Sequence, residues 1–306
     1  MTTAPTTGGP AAQRAAAEPG TGSVTSRDGT RIGYLKIGQG PAVVLLHGSF
    51  ESAHSHLELA RGLADTYTCY LPDRRGRGRS GPYPADYGVR TEVEDLAAVL
   101  AESGAQRVFG VSAGGLAVLM AARTLPGIRQ VAAYEPALVL DKDRYTGWLS
   151  RFDAELAAGR TSAAMVTSMF GLELAPPFFR AIPRRLLAAM TSMAMNSEDK
   201  KAAADAVTMR QLAPTLHYEG MLLAELAGQA DLFQQVQAEV LLMNGSKGLP
   251  FLRPGLDALD AALPHSRRVE FAGLDHGGSS DVSPSNRNGQ PGAVIPELRR
   301  FFADAA

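Results

Sequence analysis

A single cysteine, Cys69, occurs among 306 residues. No disulfide can form within the chain, and a cysteine-based metal set is excluded. Cys69 lies in the apolar stretch YTCYLPD and reads as a buried free thiol. An excess of charge of one sign is also missing, since the formal net charge is -1. That argues against a nucleic-acid partner, whose binders carry a basic surplus. The local exception is Arg74, Arg75, Arg77 and Arg79. A solvated or structural loop is expected there rather than a phosphate site. No apolar run approaches the roughly 20 residues that a membrane span needs. Residues 1–23 have neither a basic start nor an apolar h-region, so they do not read as a secretory signal. Their Ala, Thr, Gly and Pro content reads as a disordered N-terminal tail on a soluble, cytoplasmic protein.

From Ser23 onward the chain is patterned. SVTSRDGTRIGYLKIGQG reads as a hairpin turning at Asp28-Gly29. Apolar runs then alternate with helical patterns. AVVLLHG, YTCYLPD, RVFGV and QVAAYEP read as strands. SAHSHLELARGLAD, RTEVEDLAAVLAESG and GGLAVLMAART read as helices, the second ending on Gly104 as a C-terminal cap. Continuous apolar strands separated by helices imply a mostly parallel, doubly wound α/β sheet covered on both faces. Residues 141–233 break the rhythm with helical patterns alone, including YTGWLSRFDAEL and DKKAAADAVTMRQL, and with many Ala and Met. The strand–helix rhythm returns with EVLLMNG, RPGLDALDAALP, RRVEFAG and AVIPELRRFFADA. The expected organisation is a core domain of residues 24–140 and 234–306, interrupted by a helical cap over 141–233.

The chemistry starts at GVSAGG, Gly110 to Gly115. Ser112 follows a strand and precedes a helix, the setting of a nucleophile elbow. The tight turn needs small neighbours, which Gly110, Ala113 and Gly114 supply. An alcohol is a weak nucleophile and requires a base. Of the six histidines, His276 in FAGLDHGG follows the last strand and so falls at the same sheet edge as Ser112. His265 starts a strand from the opposite edge and reads as a surface residue. His47 opens the loop after AVVLL and is given an orienting role. His54, His56 and His217 remain pocket or surface residues. A developing oxyanion needs donors. The amides of Ser49, ahead of Phe50, and of Ala113 are the candidates.

HGS after a strand, PDRRGRGRS, GVSAGG, a helical insertion and a late GLDHGG together resemble the α/β-hydrolase fold family, in its capped form. The resemblance spans nearly everything from Ser23 onward. It implies a Ser–acid–His triad, no cofactor or metal, and a substrate pocket beneath the cap. Phe50, Trp148 and Met169 are the candidates for the wall of that pocket. Asp73, within PDRRGRGRS, reads as structural.

The sequence departs from the family at the acid. Most members place it in the loop after the strand EVLLMN, about three residues past Gly245. Gly248 stands there instead. Glu135 in AAYEP ends the strand after the nucleophile helix and faces the same edge as Ser112 and His276. Haloalkane dehalogenases look similar here, some placing a triad Glu at this point. Their nucleophile is an Asp where this chain has Ser112, so dehalogenation does not carry over. Glu135 is therefore assigned as the orienting acid, with a structural carboxylate bonded to loop amides as the competing role. Asp141, Asp143 and Asp257 are the fallback acids, and Asp275 is too close to His276 along the chain to turn toward it.

The resulting expectation is a serine hydrolase acting on an ester, lactone or thioester of an apolar small molecule through an acyl-serine intermediate. The alternatives are a non-hydrolytic enzyme of the same fold (lyase, cyclase, cofactor-free oxygenase or perhydrolase) and a non-catalytic small-molecule binder. A small-molecule substrate is the expected partner, with no nucleic acid and no membrane. A homodimer is left open. The Ala, Gly and Arg content fits a bacterial source.

Overall fold

The computed structural model describes residues 18–203, 205–283 and 285–303. Most of the expected tail lies outside the described residues. Its end does not conform to that expectation: Gly20 to Ser23 already belong to the first strand.

Eight strands form one sheet: β1 (Gly20–Thr25), β2 (Arg31–Gly38), β3 (Ala42–Leu46), β4 (Thr68–Pro72), β5 (Arg107–Val111), β6 (Gln130–Tyr134), β7 (Glu239–Lys247) and β8 (Ser266–Asp275). Their order across the sheet is β1-β2-β4-β3-β5-β6-β7-β8. β2 runs antiparallel to both neighbours, and β3 to β8 pair in parallel. The hairpin turns at Gly29, whose φ of 87° is left-handed and suits glycine. β8 extends two residues beyond the expected RRVEFAG, so His276 follows the strand directly.

Alternation along the strands divides the core between the two faces of the sheet. Val43 and Leu45 of β3 pack with helices α1 (Leu57–Leu63) and α11 (Pro291–Ala303), through Leu59, Leu63, Leu298 and Phe302. Val44 and Leu46 point the other way, toward α2 (Val89–Ser103) and α3 (Ala113–Thr124), through Leu96, Val99 and Leu116. α2 ends as expected at Gly104, left-handed at φ 66°. A strand buried on both faces has no polar side to show, which explains its unbroken apolar sequence.

Between β6 and β7 lie α4 (Lys142–Thr146), α5 (Leu149–Ala157), α6 (Thr161–Gly171), α7 (Arg184–Lys201), α8 (Met209–Leu212) and α9 (Thr215–Leu226). α10 (Arg253–Ala262) follows β7. Two expected helices are interrupted. YTGWLSRFDAEL is divided at Gly147 into α4 and α5. DKKAAADAVTMRQL is not one helix: α7 stops at Lys201, and α8 starts afresh behind a Thr208–Gln211 capping box. Glu198 accepts from the Met209 amide at 2.9 Å and Asp199 pairs with Arg210 at 2.8 Å, which holds the break closed.

The chain crosses from β3 to β4 on one side, then from β4 to β5 on the other side of β3. The strand order therefore reverses beside β3, and open α/β sheets bind ligands at such a point, beyond the carboxyl ends of the strands. The loop after β3 and the turn after β5 both end there.

Candidate active site

β5 delivers Ser112 at φ 54° and ψ -121°, a conformation that L-residues rarely adopt. The turn is held on both sides. The Ser112 amide donates to the Tyr134 carbonyl at 3.0 Å, and the Ser112 carbonyl accepts from Ala137 at 3.0 Å. The small neighbours are obligatory. A Cβ at Gly110 would lie 2.4 Å from the Gly114 oxygen, and one at Gly114 would lie 2.4 Å from the His47 oxygen. Ala113 opens α3, so its N–H has no acceptor within the helix.

Glu135 directly follows β6, also with positive φ (42°), and is 3% exposed. Its Oε2 lies 2.7 Å from Nδ1 of His276. The carboxylate also accepts from the amides of Gly245 at 3.1 Å and Leu249 at 3.3 Å. One group thus makes both sets of contacts: it is bonded to loop amides and it faces the imidazole. No fallback acid contacts His276 among the described residues. Asp141 caps α4 through the Arg144 amide, and Asp257 pairs with Arg268 at 2.5 Å. Asp143 is an exposed residue of α4. Asp275 accepts from the Gly277 amide and from Asn288.

Ser112 and His276 border one cavity of about 930 Å³, together with Gly48, Ser49, Phe50 and Val111. No hydrogen bond joins Ser112 to His276 among the described residues. Catalytic hydrogen bonds are often long before substrate binds. Of the expected wall residues, Phe50 lines the cavity. Trp148 and Met169 are not among its lining residues. Trp148 is buried edge-on against Phe152, with its indole N–H donated to the Tyr145 carbonyl at 2.7 Å. The lining also carries more charge than an apolar pocket would, with Glu51, Glu58, Arg61, Glu198, Asp205 and Lys247 all reaching it.

His47 is fully buried. Its Nδ1 lies 2.9 Å from the Gly48 carbonyl, and its Nε2 accepts the Arg74 amide at 3.0 Å. Burial, followed by the charges of Arg77 and Arg74, holds its pKa well below the usual histidine value. A neutral ring that orients the loop is the outcome, as expected. Asp73 is structural, accepting from Ala53 and Arg79 amides at 2.9 Å each. Three of the four clustered arginines are structural rather than solvated. Arg74 binds Glu92 and Glu219, Arg75 binds Asp95 and Asp28, and Arg77 binds Glu219, all three guanidinium groups being buried. His265 is exposed. His54 reaches the cavity and pairs with Asp205 at 3.3 Å, while His217 pairs with Asp153 at 2.8 Å. Burial pushes the Cys69 thiol up to about 12, which leaves it inert. Among the described residues no group of three His, Cys, Asp or Glu side chains could hold a metal, and no helix is long and apolar enough to cross a membrane.

A family model for the alpha/beta hydrolase fold matches residues 41–279. The chain belongs to the α/β-hydrolase fold family. An alpha/beta hydrolase from Sphaerobacter thermophilus superposes with a TM-score of 0.72 at 30% identity, over 92% of this chain and all of that one. The esterase RhEst1 from Rhodococcus superposes at 0.62 with 20% identity, over 94% of this chain and 99% of the other, a likeness of fold. In sequence, the pimeloyl-[acyl-carrier protein] methyl ester esterase of Xanthomonas axonopodis is 28% identical over 243 residues, 78% of this chain and 89% of that protein. These findings agree with the expected fold and with a hydrolase.

Sequence reasoning passed over Glu51. Its Oε2 accepts the Gly48 amide at 2.7 Å, inside the loop that carries Ser49. The signal was an acid two residues after Ser49 in HGSFES, but its partner is 229 residues away.

Proposed function

We propose that this hydrolase cleaves carboxylic esters through an acyl-enzyme on Ser112, with His276 as general base and acid and Glu135 as the orienting acid. The observation that carries the reading is the 2.7 Å contact between Glu135 and Nδ1 of His276, at the rim of the cavity that Ser112 borders. In the first half-reaction the Ser112 oxygen attacks the ester carbonyl and its proton passes to Nε2 of His276. The tetrahedral oxyanion is received by the amides of Ser49 and Ala113. Its collapse breaks the ester C–O bond, and the imidazolium returns the proton to the departing alcohol. Water, deprotonated by the same nitrogen, then attacks the acyl group and releases the acid and free Ser112. Glu135 fixes the Nδ1–H tautomer and stabilises the imidazolium formed in both steps.

The substrate is a small ester, thioester or lactone. Residues 141–233 act as the cap that selects it, in a cytoplasmic protein. Phe50 and the other apolar lining residues take its hydrocarbon part, and the charged side chains of the same lining take its polar end. The relatives named as esterases support the reaction class. The test is intact mass after incubation with a fluorophosphonate. One adduct is expected on the wild type, none on Ser112→Ala, and slower labelling on Glu135→Gln. An unlabelled, folded wild type would overturn the acyl-serine reading, provided a smaller probe also fails.

A further inference from the structure

Glu51 lies outside the triad, yet both of its carboxylate oxygens are engaged at the site. Oε2 accepts the Gly48 amide at 2.7 Å, and Oε1 accepts the Ser280 hydroxyl at 2.6 Å. Gly48 immediately precedes Ser49. A Cβ on it would lie 3.2 Å from Cβ of Ser112 and 3.1 Å from the Val111 oxygen, so this peptide is pressed against the elbow. Ser280 belongs to the turn that begins at His276. The Gly278 amide donates to Asp275, the Ser280 amide donates to Gly277, and the Asn286 side chain donates to the Gly277 carbonyl at 2.8 Å. Ser280 is 1% exposed, and its Oγ lies 3.3 Å from Nε2 of the buried His56. With Nε2–H of His56 donating to Ser280 and Ser280 donating to Glu51, every donor in the chain is directed at the carboxylate. The loop of the oxyanion donor and the loop of the catalytic base are 229 residues apart at this bridge.

We infer that Glu51 is a positioning residue that locks the Ser49 amide in register with His276, and that it acts on the transition state rather than on substrate binding. The inference rests on the acyl-serine reading above. Oxyanion donors must already be aimed where charge develops, because a misplacement of about 1 Å costs about a hundredfold. The carboxylate fixes the His47–Gly48 peptide, and the Gly48 carbonyl, 2.9 Å from Nδ1 of His47, fixes the next peptide, which carries the Ser49 N–H.

The test uses p-nitrophenyl butyrate turnover, fluorophosphonate labelling, and inhibition by a trifluoromethyl ketone, which adds Ser112 to form an oxyanion. Glu51→Ala is expected to lower kcat by about ten- to a hundredfold, with KM within about twofold and a parallel loss of ketone affinity. Ser280→Ala should give a smaller loss, because the Gly48 bond survives. Glu51→Gln should recover part of the activity, since its amide oxygen can still accept from Gly48. If kcat falls only as the melting temperature falls, or KM rises alone, or ketone affinity holds, the inference is overturned. A wild type that labels while Glu51→Ala matches it in kcat also overturns this inference and leaves the acyl-serine reading standing. A wild type that neither labels nor turns over overturns both.

Discussion

The carboxylate of Glu135 occupies the space that a side chain at Gly248 would need: a Cβ built there would lie 1.7 Å from Oε1 of Glu135. Glu135 follows β6 and Gly248 follows β7, its neighbour in the sheet, so a side chain at 248 and the Glu135 carboxylate compete for one space. Gly248 is not in the left-handed region, so its backbone accepts an L-residue. Gly248→Asp alone is therefore expected to displace Glu135 and lower activity. Glu135→Gln should lower kcat by up to about 10⁴-fold, the size of effect seen when a triad acid loses its charge. The double variant Glu135→Ala with Gly248→Asp should recover activity well above Glu135→Ala alone. Steady-state kinetics on the four proteins check this, and a double variant no better than Glu135→Ala would count against the exchange.

A second expectation concerns Gly114. Its Cα faces the carbonyls of Leu46 and His47, so Gly114→Ala must push α3 away from the end of β3. That motion separates the Ala113 amide from the Ser49 amide. A loss of about 1–3 kcal/mol in stability is expected, with a fall in kcat exceeding any change in KM. Urea denaturation and kinetics on one preparation measure both.

Glu219 is a third point of sensitivity. It is the acceptor for Arg74 at 2.9 Å and for Arg77 at 2.8 Å, with both guanidinium groups out of solvent. Glu219→Ala leaves two buried cations short of a partner. Removing one side of such a network costs about 3–5 kcal/mol. Chemical denaturation of Glu219→Ala against the wild type reads this directly, and a cost below about 1 kcal/mol would place the pairs among ordinary surface bridges.

Asp281 gives the pH prediction. Burial raises its pKa from 3.8 to about 7, opposed by its acceptance of the Glu58 amide. The folded state therefore binds the proton more tightly than the unfolded chain. Between about pH 4 and pH 7 the folded form holds more protons, so this group's contribution to stability falls as pH rises and is fully lost above 7. Asp281→Asn should flatten that slope, gaining on the wild type at pH 8 relative to pH 4. Melting temperatures across that range are the measurement, and equal slopes would refute the assignment.

What was legible in the sequence was whatever local pattern carries. The strand–turn–helix around Ser112 is written in small residues that backbone contact makes obligatory. Glu135 was found because the usual acid position held a glycine, and that same glycine proves to be the space the carboxylate fills. Partners far apart in sequence were not legible. Arg74 and Glu219 are 145 residues apart, and neither loop advertises the other. Nor does an apolar residue declare which way it faces, so Trp148, a candidate for the pocket wall, proved to be packed on Phe152. The break before α8 was hidden for a related reason. An Ala-rich stretch favours helix on propensity, and the side-chain bonds of Glu198 and Asp199 decide otherwise.

The Arg74–Glu219–Arg77 cluster also divides the inserted helices mechanically. α9 is riveted to the loop after β4, and lifting it would take Glu219 from Arg74, which keeps Glu92, and from Arg77, which keeps the Tyr83 hydroxyl. Asp205, which lines the cavity, meets the core through its partly exposed ion pair with His54. The inserted helices are thus anchored by buried charge at α9 and by a solvent-screened contact at Asp205.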